Sequence, residues 1–310
     1  MIVTVTPNTT FDRTVVVPEF QMGTTMRATA TAASMGGKPT DASYVLGELG
    51  IPSLALGFAA GLTGQQVAEM LHARGVTTDF VPVGGETRLS LIIVSEAHHD
   101  HATITTATLA VEPAHVETLR QQFIAVLDEA SVIVIGGTQP AGAGPPLYEE
   151  LITLAREHGV PVILDASGEA LLDGLAGRPD YVKPNNIELG WLLEREIETL
   201  ADAYEGGREL QARYGAWPVV TLGGTGGLAV LPDRAYYVPP LPVEVVSAAG
   251  AGDAVLAGLA WAIGRGEALE DGLRLGFAAA AAVCLLPGTA DCRKEDVERL
   301  LPQVELIPYP

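Results

Sequence analysis

Short, continuous apolar runs recur through the carboxyl-terminal two-thirds of this chain, at 132–135, 160–164, 181–182 and 219–222, and helix-periodic stretches such as 146–157 and 205–214 lie between them. A run that is apolar at every position buries both faces, as parallel strands covered by helices do, and the spacing is that of βαβ units. The predicted class is α/β. The first third reads differently. Segments 14–17, 27–31, 89–95 and 103–106 are threonine-rich and partly alternating, and they accompany helical stretches at 41–50 and 65–75. They predict a small separate β-sheet supplied by two insertions, about 12–34 and 86–108, within one domain spanning 1–310. No linker, repeat or low-complexity segment interrupts it.

Composition narrows the partners. Lys and Arg total 18 against 38 Asp and Glu, a net charge of -20 that argues against nucleic-acid and anionic-membrane surfaces. An anionic ligand must then be held by a few local cations, and only three lysines exist: Lys38, Lys183 and Lys294. Two cysteines, Cys284 and Cys292, make no disulfide framework or C-x-x-C pair, which fits a reducing compartment. The amino terminus reads as a first strand, lacking the basic region and apolar stretch of a signal peptide, and the apolar run 277–286 is far short of a membrane span. A cytoplasmic location is expected.

Chemistry collects where the apolar runs end, the place at which open parallel sheets bind ligands. The runs terminate in Gly136-Gly137-Thr138, in Asp165, in Lys183-Pro184-Asn185 and in Gly223 through Gly227. The sharpest feature is Gly250-Ala251-Gly252-Asp253, directly before a helix pattern. Small residues there leave N–H groups bare at the positive end of a helix, an anion hole suited to a phosphate whose charge grows during transfer. Asp253 at the same end can accept the proton of an attacking hydroxyl. The plainer reading is a helix cap and a tight turn. Likewise Glu188 reaches a magnesium-bound water or merely offsets a helix dipole, and Gly223 to Gly227 cradle a ligand or form a turn.

Walker and Rossmann glycine motifs are absent. His98-His99-Asp100-His101 has metal-ligand chemistry but falls between two β runs, where a polar hairpin tip is expected, so no metal is assigned to it.

Taken together, these residues resemble the ribokinase-like, or PfkB, family of carbohydrate kinases, in particular its 1-phosphofructokinase and tagatose-6-phosphate kinase branch. The resemblance runs nearly end to end through segment 4–12, Gly36-Gly37-Lys38, Ala55-Leu56-Gly57-Phe58, Thr87-Arg88, Leu164-Asp165-Ala166-Ser167-Gly168, Lys183-Pro184-Asn185, Thr221-Leu222-Gly223 and Gly250-Ala251-Gly252-Asp253. It implies a three-layer α/β body with a β-sheet lid that excludes water and often pairs with a second lid in a homodimer. It implies Asp253 as general base and Gly250, Ala251 and Gly252 as the anion hole. Asp12, Gly37, Lys38, Asp41 and Thr138 fall on its acceptor side. Arg88 matches an arginine that meets an acceptor phosphate. Lys183, Asn185, Glu188, Thr221, Gly223 and Gly226 fall on the side of ATP and magnesium.

The departures from the family pattern lie on the acceptor side. Asp41 stands where Asn is usual, Leu89-Ser90-Leu91-Ile92 follows Thr87-Arg88 where Ile-Asn-Val-Lys is usual, and Asn8-Thr9-Thr10-Phe11-Asp12 replaces Asn-Pro-Ala-Ile-Asp. The expected reaction is phosphoryl transfer from ATP to a ketohexose phosphate. An unphosphorylated sugar or nucleoside as acceptor, and a non-catalytic binding protein, are the alternatives.

Overall fold

The computed structural model describes every residue except His99 and Pro145, and the side chains of Asp100 and His101 are likewise outside the description. From the amino terminus the elements are β1 (Ile2–Thr6), β2 (Thr10–Val17), β3 (Ala30–Gly36), α1 (Lys38–Glu48), β4 (Ser53–Ala59), α2 (Gly61–Ala73), β5 (Thr77–Pro82), β6 (Arg88–Ser95), β7 (Asp100–Thr105) and α3 (Pro113–Val126). There follow β8 (Val132–Gly137), α4 (Leu147–Glu157), β9 (Val162–Ala166), α5 (Glu169–Ala176), β10 (Tyr181–Val182), α6 (Asn186–Leu193), α7 (Leu200–Tyr214) and β11 (Trp217–Thr221). The chain ends with β12 (Gly227–Val230), β13 (Ala235–Val238), α8 (Ala251–Arg265), α9 (Leu269–Val283), α10 (Lys294–Leu300) and β14 (Ile307–Tyr309).

Ten strands form one sheet in the order β14-β13-β12-β11-β10-β9-β8-β1-β4-β5, parallel from β11 to β5 and antiparallel beyond β11. Alternation along the central strands divides the core. Val3, Val5, Ile133, Ile135 and Leu164 meet Leu119, Phe123, Leu151 and Leu210 from α3, α4 and α7. On the other face Ile2, Val132, Val134 and Ile163 meet Val45, Leu256, Leu259 and Leu273 from α1, α8 and α9. Both faces of the sheet are covered by helices, the three-layer arrangement expected of continuous apolar runs.

A second sheet orders its strands β3-β2-β6-β7. Strand β2 runs antiparallel to β3 and parallel to β6, with Asp12 opposite Ser90 and Thr10 opposite Arg88. Its base is anchored to the body by Phe11 and Met35, which pack with Tyr44, Val67 and Leu71.

Boundaries shift where local chemistry intervenes. Pro161, which has no N–H to give, precedes β9 and delays its start to Val162, two residues past the expected one. Helix α7 starts at Leu200 rather than 205 because Thr199 and Asp202 cap it reciprocally. Strands β2 and β3 run past the expected 14–17 and 27–31 to Thr10 and Gly36, where they carry polar residues into the site. Residues 223–226 make a short 3-10 turn into antiparallel β12. In the β6–β7 hairpin the His98 ring is hydrogen-bonded to Ser95 Oγ at 2.9 Å, while His99 and the side chains of Asp100 and His101, the rest of that sequence run, lie outside the described residues. Among the described residues no helix is long and apolar enough to cross a membrane, and Cys284 and Cys292 are both free thiols.

Candidate active site

Five elements deliver the central side chains to one cavity of about 210 Å³, between the second sheet and the carboxyl ends of the parallel strands. Strands β2 and β6 bring Thr10, Asp12, Arg88 and Ser90; the turn into α1 brings Gly37, Lys38 and Asp41; the end of β8 leads to Thr138; and α8 brings Asp253. Gly37 makes that turn with φ 111°, a conformation other residues resist. A larger cavity of about 390 Å³, lined by Arg156, Arg178, Arg213 and Trp217, lies at the opposite ends of β10 and β11, away from every predicted residue.

Helix α8 begins at Gly250, whose φ of 79° and absent side chain let it pass Ala290; a Cβ there would sit 2.2 Å from the Ala290 nitrogen. The amides behind it are not uniformly bare. Ala251 N–H donates to Ala248 O at 3.2 Å and Asp253 N–H to Gly250 O at 3.0 Å. Gly252 N–H makes no backbone bond among the described residues, so the run of free donors expected from sequence is narrower than Gly250 to Gly252. Beside Gly252 the space is open, and the nearest atom to a Cβ built there is Lys183 Nζ at 3.4 Å.

Lys38 and Lys183 converge on Asp165, a fully buried carboxylate at the end of β9. Lys38 Nζ lies 2.7 Å from its Oδ1 and Lys183 Nζ 2.8 Å from its Oδ2. Lys38 also reaches Glu188 Oε1 at 2.5 Å. Burial pulls the Lys38 amine down, but Asp165 and Glu188 together outweigh burial and hold it above its ordinary value. Glu188 accepts further bonds from Ser167 Oγ at 2.6 Å and from Asn185 N–H at 2.9 Å, while Asn185 Oδ1 caps the Glu188 amide. Lys38 therefore sits, half-buried, in an ion network that joins the turn into α1 to the end of β9 and the start of α6. Asp165 is its hub, a part that sequence reasoning left unassigned; the polar end of the 160–164 run was the available signal.

Asp12 is pushed up to about 6 by burial, against a bond from Thr289 Oγ1 at 2.8 Å and the Arg88 charge. Thr289 is a second missed residue. It lies 277 positions from Asp12, and no local pattern announces it. Its neighbour Ala290 donates to Ala249 O at 3.0 Å, so one short loop ties Asp12 to the start of α8. Arg88 gives Nε to Thr10 Oγ1, and its two terminal nitrogens have no partner among the described residues. Thr138 Oγ1 accepts from Asn8 Nδ2 at 2.9 Å.

Asp253 is pushed up to about 6, chiefly by burial and then by Asp165, against Lys183 and Lys38. Asp41 lines the same cavity, and burial, Asp253 and Asp12 drive its carboxyl well above the usual carboxylate range. Asn185 and Thr221 are bridged, with Thr221 N–H donating to Pro184 O at 3.0 Å. Gly223 and Gly226 form the turn beyond Thr221, with Gly226 N–H donating to Gly223 O at 3.0 Å, and neither lines the Asp253 cavity. No group of three or more His, Cys, Asp or Glu side chains suited to a metal ion occurs among the described residues.

The whole chain compares with proteins that move phosphoryl groups onto sugars. Residues 3–296 match the model of the pfkB family carbohydrate kinases. A 1-phosphofructokinase of Bacillus subtilis is 29% identical over 306 residues, covering 99% of both chains, and a tagatose-6-phosphate kinase of Staphylococcus epidermidis is 27% identical over 316 positions with the same coverage. The crystal structure of Phosphofructokinase-2 from Escherichia coli in complex with potassium superposes with a TM-score of 0.89 at 29% identity, covering 97% of this chain and 98% of that one. The fold and its relatives define an ATP-using phosphotransferase with an alcohol group as acceptor. The chain belongs to the pfkB family of carbohydrate kinases.

Proposed function

We propose that this kinase phosphorylates a hydroxyl of a ketohexose phosphate of the fructose 1-phosphate or tagatose 6-phosphate type, with Asp253 as general base. The observation that carries the reading is one cavity holding both Asp253 and Arg88, the latter with two uncommitted guanidinium nitrogens. A planar fork of that kind suits a phosphate on the acceptor, while a carboxylate across the cavity suits its hydroxyl.

ATP, when bound, supplies the γ-phosphoryl group, and magnesium would spread its charge. The residues present fit that donor. Gly252 leaves room and a free N–H beside the Lys183 ammonium, at the positive end of α8. Asp253 takes the hydroxyl proton as the acceptor oxygen forms its bond to phosphorus and ADP departs. Glu188, already held by Lys38 and Ser167, is the carboxylate on the nucleotide side able to hold a magnesium-bound water. Asn185 and Thr221 fall beside it, and Gly223 and Gly226 make the turn that would border the nucleotide. The β3-β2-β6-β7 sheet would close over the acceptor as a lid, and paired lids would make a homodimer.

A second reading has its own support. Lys38 is committed to two carboxylates, and Asp12 and Asp41 line the cavity beside Arg88. Such a lining favours a neutral sugar or nucleoside. A panel of acceptors with ATP and magnesium separates the two: turnover of fructose 1-phosphate or tagatose 6-phosphate is expected, whereas turnover confined to unphosphorylated sugars or nucleosides would replace the first reading with the second.

A further inference from the structure

Asp41 is 2% exposed, in the first turn of α1, and α1 packs directly on α8, which carries Asp253. It lines the same cavity as Asp12 and Asp253, so three carboxyls from three elements face one small space. No cation is bonded to Asp41 among the described residues. Lys38 is bound to Asp165 and Glu188, Lys183 to Asp165, and the one bond from Arg88 goes to Thr10. Asp41 Oδ1 is buried without a hydrogen-bond partner among the described residues, and the groups that act on its carboxyl are Asp253, Asp12 and the Gly37 backbone.

Two carboxylates cannot hydrogen-bond; two carboxyls can, if they share one proton. We infer that Asp41 is a positioning and selectivity residue that works as a neutral carboxylic acid, donating its proton in a hydrogen bond to the Asp253 carboxylate and facing the acceptor without charge. The inference rests on the reading of Asp253 as the base. The proton belongs on Asp41 because Asp253 feels Lys183 and Lys38, whereas at Asp41 burial and the charges of Asp253 and Asp12 outweigh the one favourable contact, with the Gly37 backbone. A neutral acid carries one donor and one acceptor, the pattern of the asparagine it replaces in the family motif. The carboxyl at position 41 is thereby compatible with an anionic acceptor, and it fixes the rotamer of the base.

Ionisation of Asp41 would put a second charge against Asp253 and repel a phosphorylated acceptor. The profile of kcat/KM against pH is therefore expected to be a bell, rising as Asp253 ionises near 6 and falling at alkaline pH as Asp41 loses its proton. In Asp41→Asn the acid limb should stay and the alkaline limb should vanish; an alkaline limb unchanged in the variant overturns the inference. A measurement independent of turnover uses infrared absorption of the wild-type protein at about pH 8, where Asp12 and Asp253 are ionised. A protonated-carboxyl stretch is expected there, absent from Asp41→Asn. No such band in the wild type, or the same band in the variant, overturns the inference. Should Asp253→Asn leave turnover intact while the wild-type band is present, the base assignment fails and the protonation of Asp41 stands.

Discussion

A carboxylate with a pKa near 6 at the positive end of a helix is ionised at neutral pH yet basic enough to accept a proton, and Asp253 meets both conditions. Asp253→Asn keeps shape and removes the acceptor of the proton. Its kcat should fall by roughly 10²- to 10⁴-fold, while ATP affinity measured by calorimetry stays close to wild type. An unchanged kcat would remove Asp253 from the chemistry. Neighbouring side chains could not be weighted from sequence alone. Asp165 sits at the end of an ordinary apolar run, and only the convergence of Lys38 and Lys183 on it, from 127 positions before and 18 after, reveals a buried hub. The same holds for Thr289, whose hydroxyl meets Asp12 across almost the whole chain.

At the scale of elements, the start of α8 contains two glycines with different duties. A methyl at Gly250 would collide with backbone at Ala290 and also demand a left-handed φ, whereas a methyl at Gly252 meets only the tip of Lys183. Gly250→Ala should lower the melting temperature clearly, by an effect on the order of 1–3 kcal/mol. Gly252→Ala should melt near wild type but bind ATP more weakly in calorimetric titration. Equal melting temperatures for the two variants would contradict this division. The motif Gly250-Ala251-Gly252-Asp253 was legible because small residues before an apolar helical run have a backbone meaning in themselves. The capping box that starts α7 is also written locally, in Thr199 and Asp202, although the helical periodicity shows only from 205 onward.

At the scale of the molecule, three carboxyls sit where ionisation costs most. Asp12, Asp41 and Asp253 are all raised in the folded state, so each binds protons more tightly folded than unfolded, and stability falls as pH climbs from about 4 toward each raised value. Replacing Asp41 with Asn removes one of these penalties. The stability of Asp41→Asn relative to wild type should improve by about 1.4 kcal/mol per pH unit above about pH 4, until Asp41 itself ionises in the folded protein. Melts of both proteins across that range measure it, and a difference independent of pH would show that Asp41 is not held protonated.

Periodicity alone determined the α/β class, the first strand, the helices covering the sheet and the existence of a second, threonine-rich sheet, because alternation and helical spacing record which faces meet the core. The glycine-rich start of α8 and the acid behind it were equally local. Tertiary structure decided the charges: which lysine meets which carboxylate, that Thr289 serves Asp12, and that Asp41 and Asp253 face one cavity. Those depend on distances between residues far apart in the chain and on how much water burial removes around them, quantities that a linear pattern does not encode.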